Sequence, residues 1–350
     1  MTDSSQTTPN GFWCLRLGSM SLLFNRRATL LLIVVLLILL LVAVTALTLG
    51  SGQMNASQVV QTLAGQGSRM HELMLFQIRL PRVLAVMLAG AALGLSGCLV
   101  QTLVQNRLAT PDMIGVNEGA TMSIVIFSLY LTIGSWPWWA APLGAVLAAA
   151  CLFTLCRRPG EQGYLFIVVG IALTELFQAL SEFAMSSQPI AHLSALYMWT
   201  MGHFAGQGYR VVVPVALCLL VLLPPVALLL RALSVLRLGS ATAQGLGVPV
   251  VAVQLVLLGL AILIAGLGAA IGGPVIFVGM AAPILASWLL RSGPVPVWLA
   301  AALGALLLLL ADTLVRVLAD PVEMPAGLMT RILGGLLLLT LLLQNRKRVD

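Results

Sequence analysis

Charge is what this chain has least of. Only 29 of its 350 residues carry any, 18 Lys+Arg and 11 Asp+Glu, while 60% are hydrophobic. A water-soluble fold of this length needs far more charge than that on its surface, so a soluble globular protein is excluded. Lysine is nearly absent: every basic residue is Arg except Lys347. A phosphate-binding loop needs a Lys behind a glycine-rich turn, and none precedes Lys347, so ATP hydrolysis must belong to another polypeptide. The cysteines (Cys14, Cys98, Cys151, Cys156, Cys218) and histidines (His71, His192, His203) show no metal-ligand spacing and read as isolated groups. No metal, cofactor or nucleophile–base pair is expected, and the chain does not read as an enzyme. The net charge of +7 is scattered at the ends of apolar runs. That pattern suits lipid headgroups and leaves nucleic acid without a basic face to bind.

What fills the chain instead is apolar sequence in lengths near 20 residues, the number a helix needs to cross a bilayer core about 30 Å thick. The expected spans are 28–49, 80–104, 112–132, 137–156, 164–186, 211–233, 250–271, 274–291, 296–317 and 326–344. The fold class is therefore an all-α polytopic membrane protein of about ten helices. Residues 1–27 form an N-terminal tail, 28–345 one transmembrane domain and 346–350 a C-terminal tail, with no separate soluble domain left over. Thr29–Leu49 is too long for a signal-peptide core and reads as a retained first helix. With both termini cytoplasmic, twelve basic residues fall inside (Arg16, Arg26, Arg27, Arg107, Arg157, Arg158, Arg231, Arg237, Arg291, Arg346, Lys347, Arg348). Six fall outside (Arg69, Arg79, Arg82, Arg210, Arg316, Arg331), in keeping with the positive-inside rule.

Small-residue runs at 89–97 and 266–273 supply faces on which helices pack closely in lipid. Two connections stand out. Segment 187–210 is semi-polar and suggests a short helix on the outer surface. Segment 234–249, on the inside, reads as a pair of short helices broken at Gly245 and Gly247, and is longer and more apolar than a plain loop requires. Such an element offers a docking surface to a cytoplasmic partner.

A set of motifs then occurs in order: Arg79-Leu80-Pro81-Arg82; Ala89 to Gly97; Asn106-Arg107-Leu108-Ala109-Thr110-Pro111-Asp112 with Gly115 and Gly119-Ala120; and Met201-Gly202. Leu238-Gly239 through Leu246-Gly247-Val248, Phe277-Val278-Gly279 with Ala282-Pro283, Ala311-Asp312 with Arg316, and Glu323 to Gly327 complete it. Over residues 70–345 the chain resembles the permease subunits of ABC importers for iron-siderophores and cobalamin. Pro111 to Gly115 and Leu333-Gly334-Gly335 look most like the ferric-enterobactin members. The resemblance implies a type II importer permease fold of ten helices in the cell inner membrane. The implied partners are two cytoplasmic ABC ATPase subunits, a second permease subunit (identical or paralogous), a periplasmic siderophore-binding protein and membrane lipid.

The same resemblance implies coupling helices at 238–249, with Leu238, Gly239, Ala243, Leu246 and Gly247 as the contact set. It also implies a narrow cytoplasmic gate at Asn106 and Leu108. Three departures are visible: no acidic residue near Ser240, Arg107 where proline is common, and Ile284 where histidine is frequent. Arg79, Arg82 and Arg316 match positions that meet acidic residues of the binding protein; snorkelling to headgroups is the other account of Arg79 and Arg82. Asp312 lies four residues before Arg316 and is placed to pair with it. In span 164–186, Glu175, Gln178 and Glu182 fall at i, i+3 and i+7 on one helix stripe. Intramembrane ionisable groups face a cavity or a partner, so the stripe lines either the translocation path or a neighbouring helix. The expected function is inward transport of an iron(III)-siderophore, a catecholate such as enterobactin. Cobalamin or haem is the alternative cargo, and an ion-coupled secondary carrier the distant one.

Overall fold

A computed structural model describes residues 12–17, 20–49, 54–130, 137–156, 163–187, 189–291, 293–319 and 322–346. Two strands, β1 (Phe12–Leu17) and β2 (Met20–Asn25), pair antiparallel ahead of the helices. In chain order come α1 (Arg26–Thr48), α2 (Ala56–Leu63), α3 (Arg69–Leu73), α4 (Leu80–Val104) and α5 (Val116–Tyr130). Then follow α6 (Ala140–Leu155), α7 (Gly163–Ser186), α8 (Ile190–Thr200), α9 (Tyr209–Leu236) and α10 (Ser240–Gly245). The chain closes with α11 (Val250–Gly272), α12 (Val278–Leu290), α13 (Val297–Leu318) and α14 (Ala326–Arg346). Each of the ten expected spans has its helix. Arg157, Arg158, Lys347 and Arg348, and the tail residues 1–11 and 347–350, lie outside the described residues.

Over their described residues, fewer than ten helices are long and apolar enough to cross a membrane. Among the described residues six helices qualify, and α6, α12 and the Ala326–Leu337 part of α14 are apolar but shorter. The 15 described residues of α5 rise about 23 Å, less than a bilayer core. The chain before it, expected to be helix from residue 112, is instead a 3₁₀ turn, Pro111–Ile114, ended by Gly115 at φ 75°. That turn is packed against α7, where the Thr174 hydroxyl donates to Asp112 O at 3.4 Å. Irregular backbone is tolerated there because protein covers it.

α4 is the central pillar, buried along most of its length and flanked by α13, α11 and α12. Gly90 and Gly94 let α13 approach at Gly304 and Ala300. A Cβ on Gly94 would stand only 3.1 Å from the Ala300 carbonyl carbon, so even alanine would force the two helices apart. Ser96 adds an interhelical bond, its hydroxyl donating to Ala261 O of α11 at 2.7 Å. α5 and α6 close on each other, and α7 lies on α5. α1 sits on the outside against α13, with most of its apolar surface left for lipid.

Three local features differ from expectation. The polar tail 1–27 contains the β1–β2 hairpin, and α1 begins directly after it, capped by Asn25, whose Oδ1 accepts from Ala28 N–H. The helix expected to start at residue 80 starts at Arg69, so that Arg69–Val104 runs unbroken for 36 residues. Pro81 suggests a helix start because it lacks an N–H. The chain accommodates it with a π-turn over Met74–Arg79, where Leu80 N–H reaches back five residues to Leu75 O. At about 1.5 Å per residue the helix is about 54 Å long and overreaches the bilayer core. Its projecting end packs Leu75 on Met54 and Val59 beside α2. Finally, 234–249 holds one short helix where two were expected, because α9 continues to Leu236.

Candidate functional site

Three arginines and one aspartate meet where α1 ends, α4 begins and α13 ends. A helix C-terminus leaves its last four carbonyls without partners and carries about half a negative charge. Arg79 donates to Leu47 O at 2.6 Å and Thr48 O at 3.3 Å, while Arg316 donates to Ala46 O at 3.1 Å and Leu49 O at 3.4 Å. Together they cap α1. Asp312 joins the rest: Arg82 Nη2 and Nε donate to its Oδ1 at 2.8 and 3.3 Å, and Arg316 Nε stands 3.3 Å from its Oδ2. The expected Asp312–Arg316 pair is present, and Arg82 shares it. The Arg82 and Arg316 side chains are 11% exposed, that of Asp312 1%, and Arg79 is buried. The positions matched to binding-protein docking thus point into their own subunit and hold α1, α4 and α13 together.

Beside this cluster lies His203, read as isolated from sequence, with Nε2 3.7 Å from Glu323 Oε2. Its Nδ1 is buried without a hydrogen-bond partner among the described residues. Burial pushes the imidazole pKa below its ordinary value; Arg82 adds to this, and Glu323 and Asp312 oppose it. The pair brings two distant motifs together, for Gly327 N–H also donates to Gly202 O at 3.0 Å. A cavity of about 510 Å³ opens here, lined by His203, Glu323, Trp199, Gln207 and Ser194.

On α7 the expected stripe is real and uncovered. Glu175, Gln178 and Glu182 are all exposed, and Gln178 Nε2 donates to Glu182 Oε1 at 3.0 Å. Glu118 of α5 lies within electrostatic reach of Glu175, Glu182 and Arg331 of α14. Neither Glu118 nor Arg331 stood out in the sequence as part of this face. A carboxylate one residue before the motif Gly119-Ala120, inside an apolar run, was the available signal.

At the opposite end, α10 is a single turn bounded by glycines in left-handed conformations, Gly239 at φ 100° and Gly247 at φ 80°. Val248 N–H to Ala243 O and Gly247 N–H to Gln244 O close it as a Schellman motif. Leu238 and Leu246, 65% and 64% exposed, stand out on either side. Ala243, expected in the contact set, is fully buried and anchors the turn to its own subunit. The gate residues Asn106 and Leu108 form an exposed turn in which Asn106 Oδ1 accepts from Leu108 N–H at 3.0 Å, and Leu108 projects outward.

The described residues thus form a multi-helix chain with membrane-length apolar helices, a polar stripe left open on α7 and a short helix presented at one end. The chain belongs to the FecCD transport family, whose model matches residues 35–344. It is 30% identical over 309 residues to the ferric enterobactin permease FepG of Escherichia coli strain K12, covering 87% of this chain and 93% of that one. It is 33% identical over 311 residues to the achromobactin permease CbrC of Dickeya dadantii strain 3937, covering 87% and 89%. The vitamin B12 permease BtuC of Escherichia coli O9:H4 is 34% identical over 285 residues, covering 79% and 85%. Among solved structures, an inward-facing ABC transporter assigned to the metal-chelate type superposes with a TM-score of 0.77 at 25% identity, covering 90% of this chain and 99% of that one.

Proposed function

We propose that this chain is the membrane subunit of an ATP-driven importer that carries an iron(III)-siderophore across the cell inner membrane, its termini in the cytoplasm. The reading rests most on the stripe of Glu175, Gln178 and Glu182. Carboxylates on an exposed intramembrane face are too costly to leave against lipid. A second permease subunit, identical or paralogous, covers them and shares a polar path with this one. The ten helices matched to the expected spans form the transmembrane body, the shorter ones being completed by neighbours. At the cytoplasmic end α10 couples to two ATPase subunits through Leu238 and Leu246, with Gly239 and Gly247 setting the turn and Ala243 anchoring it. Asn106 and Leu108 form the gate. At the outer end Arg79, Arg82 and Arg316 exceed Asp312 by two positive charges. They act on acidic groups of a siderophore-binding protein through their field more than through direct contact.

The cargo class follows the relatives, several of which are named for ferric or iron(3+) complexes and one for siderophore transport. Within it a catecholate of the enterobactin kind is the narrower reading. Cobalamin is the second, favoured by the 34% identity to the vitamin B12 permease. Uptake assays in proteoliposomes containing the whole importer, with radioiron loaded on catecholate, hydroxamate and citrate chelators and with labelled cobalamin, decide among them. Glu175→Leu should slow uptake while leaving the chain folded; unchanged flux would remove the stripe from the path. Sustained uphill accumulation by this chain alone would replace the whole reading with that of an ion-coupled carrier.

A further inference from the structure

At the end opposite the Asp312 cluster lies a cavity of about 320 Å³ with an unusual electrostatic make-up. Its wall includes Gln105, Arg237 and Arg291, the C-terminal caps of α4, α9 and α12, together with Arg107, Gln101 and Ser287. Three helix ends converge there, each worth about −0.5 charge, and α13 starts at the rim with about +0.5. The bland account of the arginines is that they neutralise those ends. The balance does not close that way: three guanidinium groups leave an excess of about two positive charges, and no acidic residue lines the cavity among the described residues.

The guanidinium groups also differ in their commitments. Arg237 donates to Gly293 O at 3.1 Å and is held in place. Arg107 and Arg291 are exposed and make no hydrogen bond or ion pair among the described residues. Two of the caps are held in backbone conformations that L-residues rarely adopt, Gln105 at φ 54° and Arg291 at φ 58°. Such strain persists where surrounding structure enforces it, and it tends to gather at binding sites. The mouth lies at helix termini, which in a membrane protein is headgroup level. Trp288, next to Ser287 and exposed, fits that depth.

We propose that this cavity binds a phosphate-class anion, presented in the membrane as the phosphodiester headgroup of an anionic phospholipid. Arg107 and Arg291 supply the mobile donors and Arg237 the fixed charge. Guanidinium forks match phosphate oxygens in geometry as well as charge. The inference needs only a membrane-embedded chain and survives a different cargo or orientation.

The test is native mass spectrometry of the full chain released from nanodiscs containing phosphatidylglycerol or phosphatidylcholine, with and without inorganic phosphate. Wild-type chain should retain phosphatidylglycerol preferentially. The pair Arg107→Gln and Arg291→Gln, which breaks no internal bond, should reduce that retention by about tenfold per arginine, about 1.4 kcal/mol each. Arg69→Gln, at the far end, should change nothing. Resistance to competing phosphate identifies the lipid as the source. Displacement by phosphate, lost in the same variant, supports the anion site and identifies the free ion as its ligand. Equal retention of both lipids, or equal retention by wild type and the double variant, overturns the proposal. So does loss of the lipid on assembly with the ATPase subunits, with cross-links from them to position 107 or 291, which would make the cavity a protein contact.

Discussion

The two ends of the molecule use the same residue in opposite ways. At the outer end, as proposed, Arg79, Arg82 and Arg316 are drawn inward, onto four carbonyls at the end of α1 and onto Asp312. At the inner end Arg107 and Arg291 stand exposed over a cavity. The first arrangement is architecture. α1 is peripheral, and its C-terminus is tied to α4 and α13 mainly by charge. The second leaves cationic surface available to something else. An arginine near a membrane surface therefore has no fixed meaning until its partners are known.

That contrast is most sharply broken at Asp312. Removing one member of a buried ion pair leaves an uncompensated charge and costs about 3–5 kcal/mol. Asp312→Ala should therefore lower thermal stability in detergent by a large step and loosen α1, seen as faster proteolysis between 49 and 56. Arg107→Gln, an exposed substitution, should stay within about 0.5 kcal/mol of wild type. Equal effects at the two ends would erase the distinction.

A smaller effect, on function rather than stability, is expected at α10. A Cβ added at Gly245 meets no described atom of its own subunit within 4 Å, so a side chain there starts into open space. Gly245→Trp should therefore fold normally yet block ATPase docking, leaving ATP hydrolysis uncoupled from uptake in the reconstituted importer. Gly247→Val is the contrasting variant, because φ 80° resists a β-branched residue and the turn itself would deform. Normal coupling in Gly245→Trp would mean that the partner approaches elsewhere.

Much of the helical layout was legible because its signal is local. Apolar runs located a helix at each of the ten expected spans, six of them long and apolar enough to cross a membrane over their described residues, and the i, i+3, i+7 spacing put Glu175, Gln178 and Glu182 on one face. What escaped were features set by partners distant in the chain. Arg82 and Asp312 are 230 residues apart, and nothing near either one announces that they meet. His203 and Glu323 joined for the same reason, through packing of Gly202 on Gly327. The extension of α4 back to Arg69 was hidden by Pro81, whose missing N–H reads as a helix start until a π-turn accommodates it. The motifs Gly90–Gly94 and Phe277–Gly279, which carry the family resemblance, turn out to be close-packing sites. A family signature in such a chain marks where helices touch as often as where cargo or partners bind.

The finest distinction between the ends is one of pH. His203 is the titratable group beside the outer cluster, and its folded pKa lies below the ordinary value of about 6.5. As pH falls through that value, the unfolded chain takes up a proton that the folded loop resists, because burial and Arg82 disfavour the imidazolium. The unfolded state then holds more protons, so stability drops with acidification. Glu323 and Asp312 act against the shift, which keeps the effect modest. The stability of wild type should thus decline as pH falls below about 6.5, and His203→Gln should flatten that part of the profile while leaving the plateau above pH 7 in place. The cavity around His203 shares no lining residue with the arginine-lined cavity at the far end, so the same variant should leave lipid retention there unchanged. An identical acid slope in wild type and variant would show that burial and Arg82 do not depress the His203 imidazole in the folded chain.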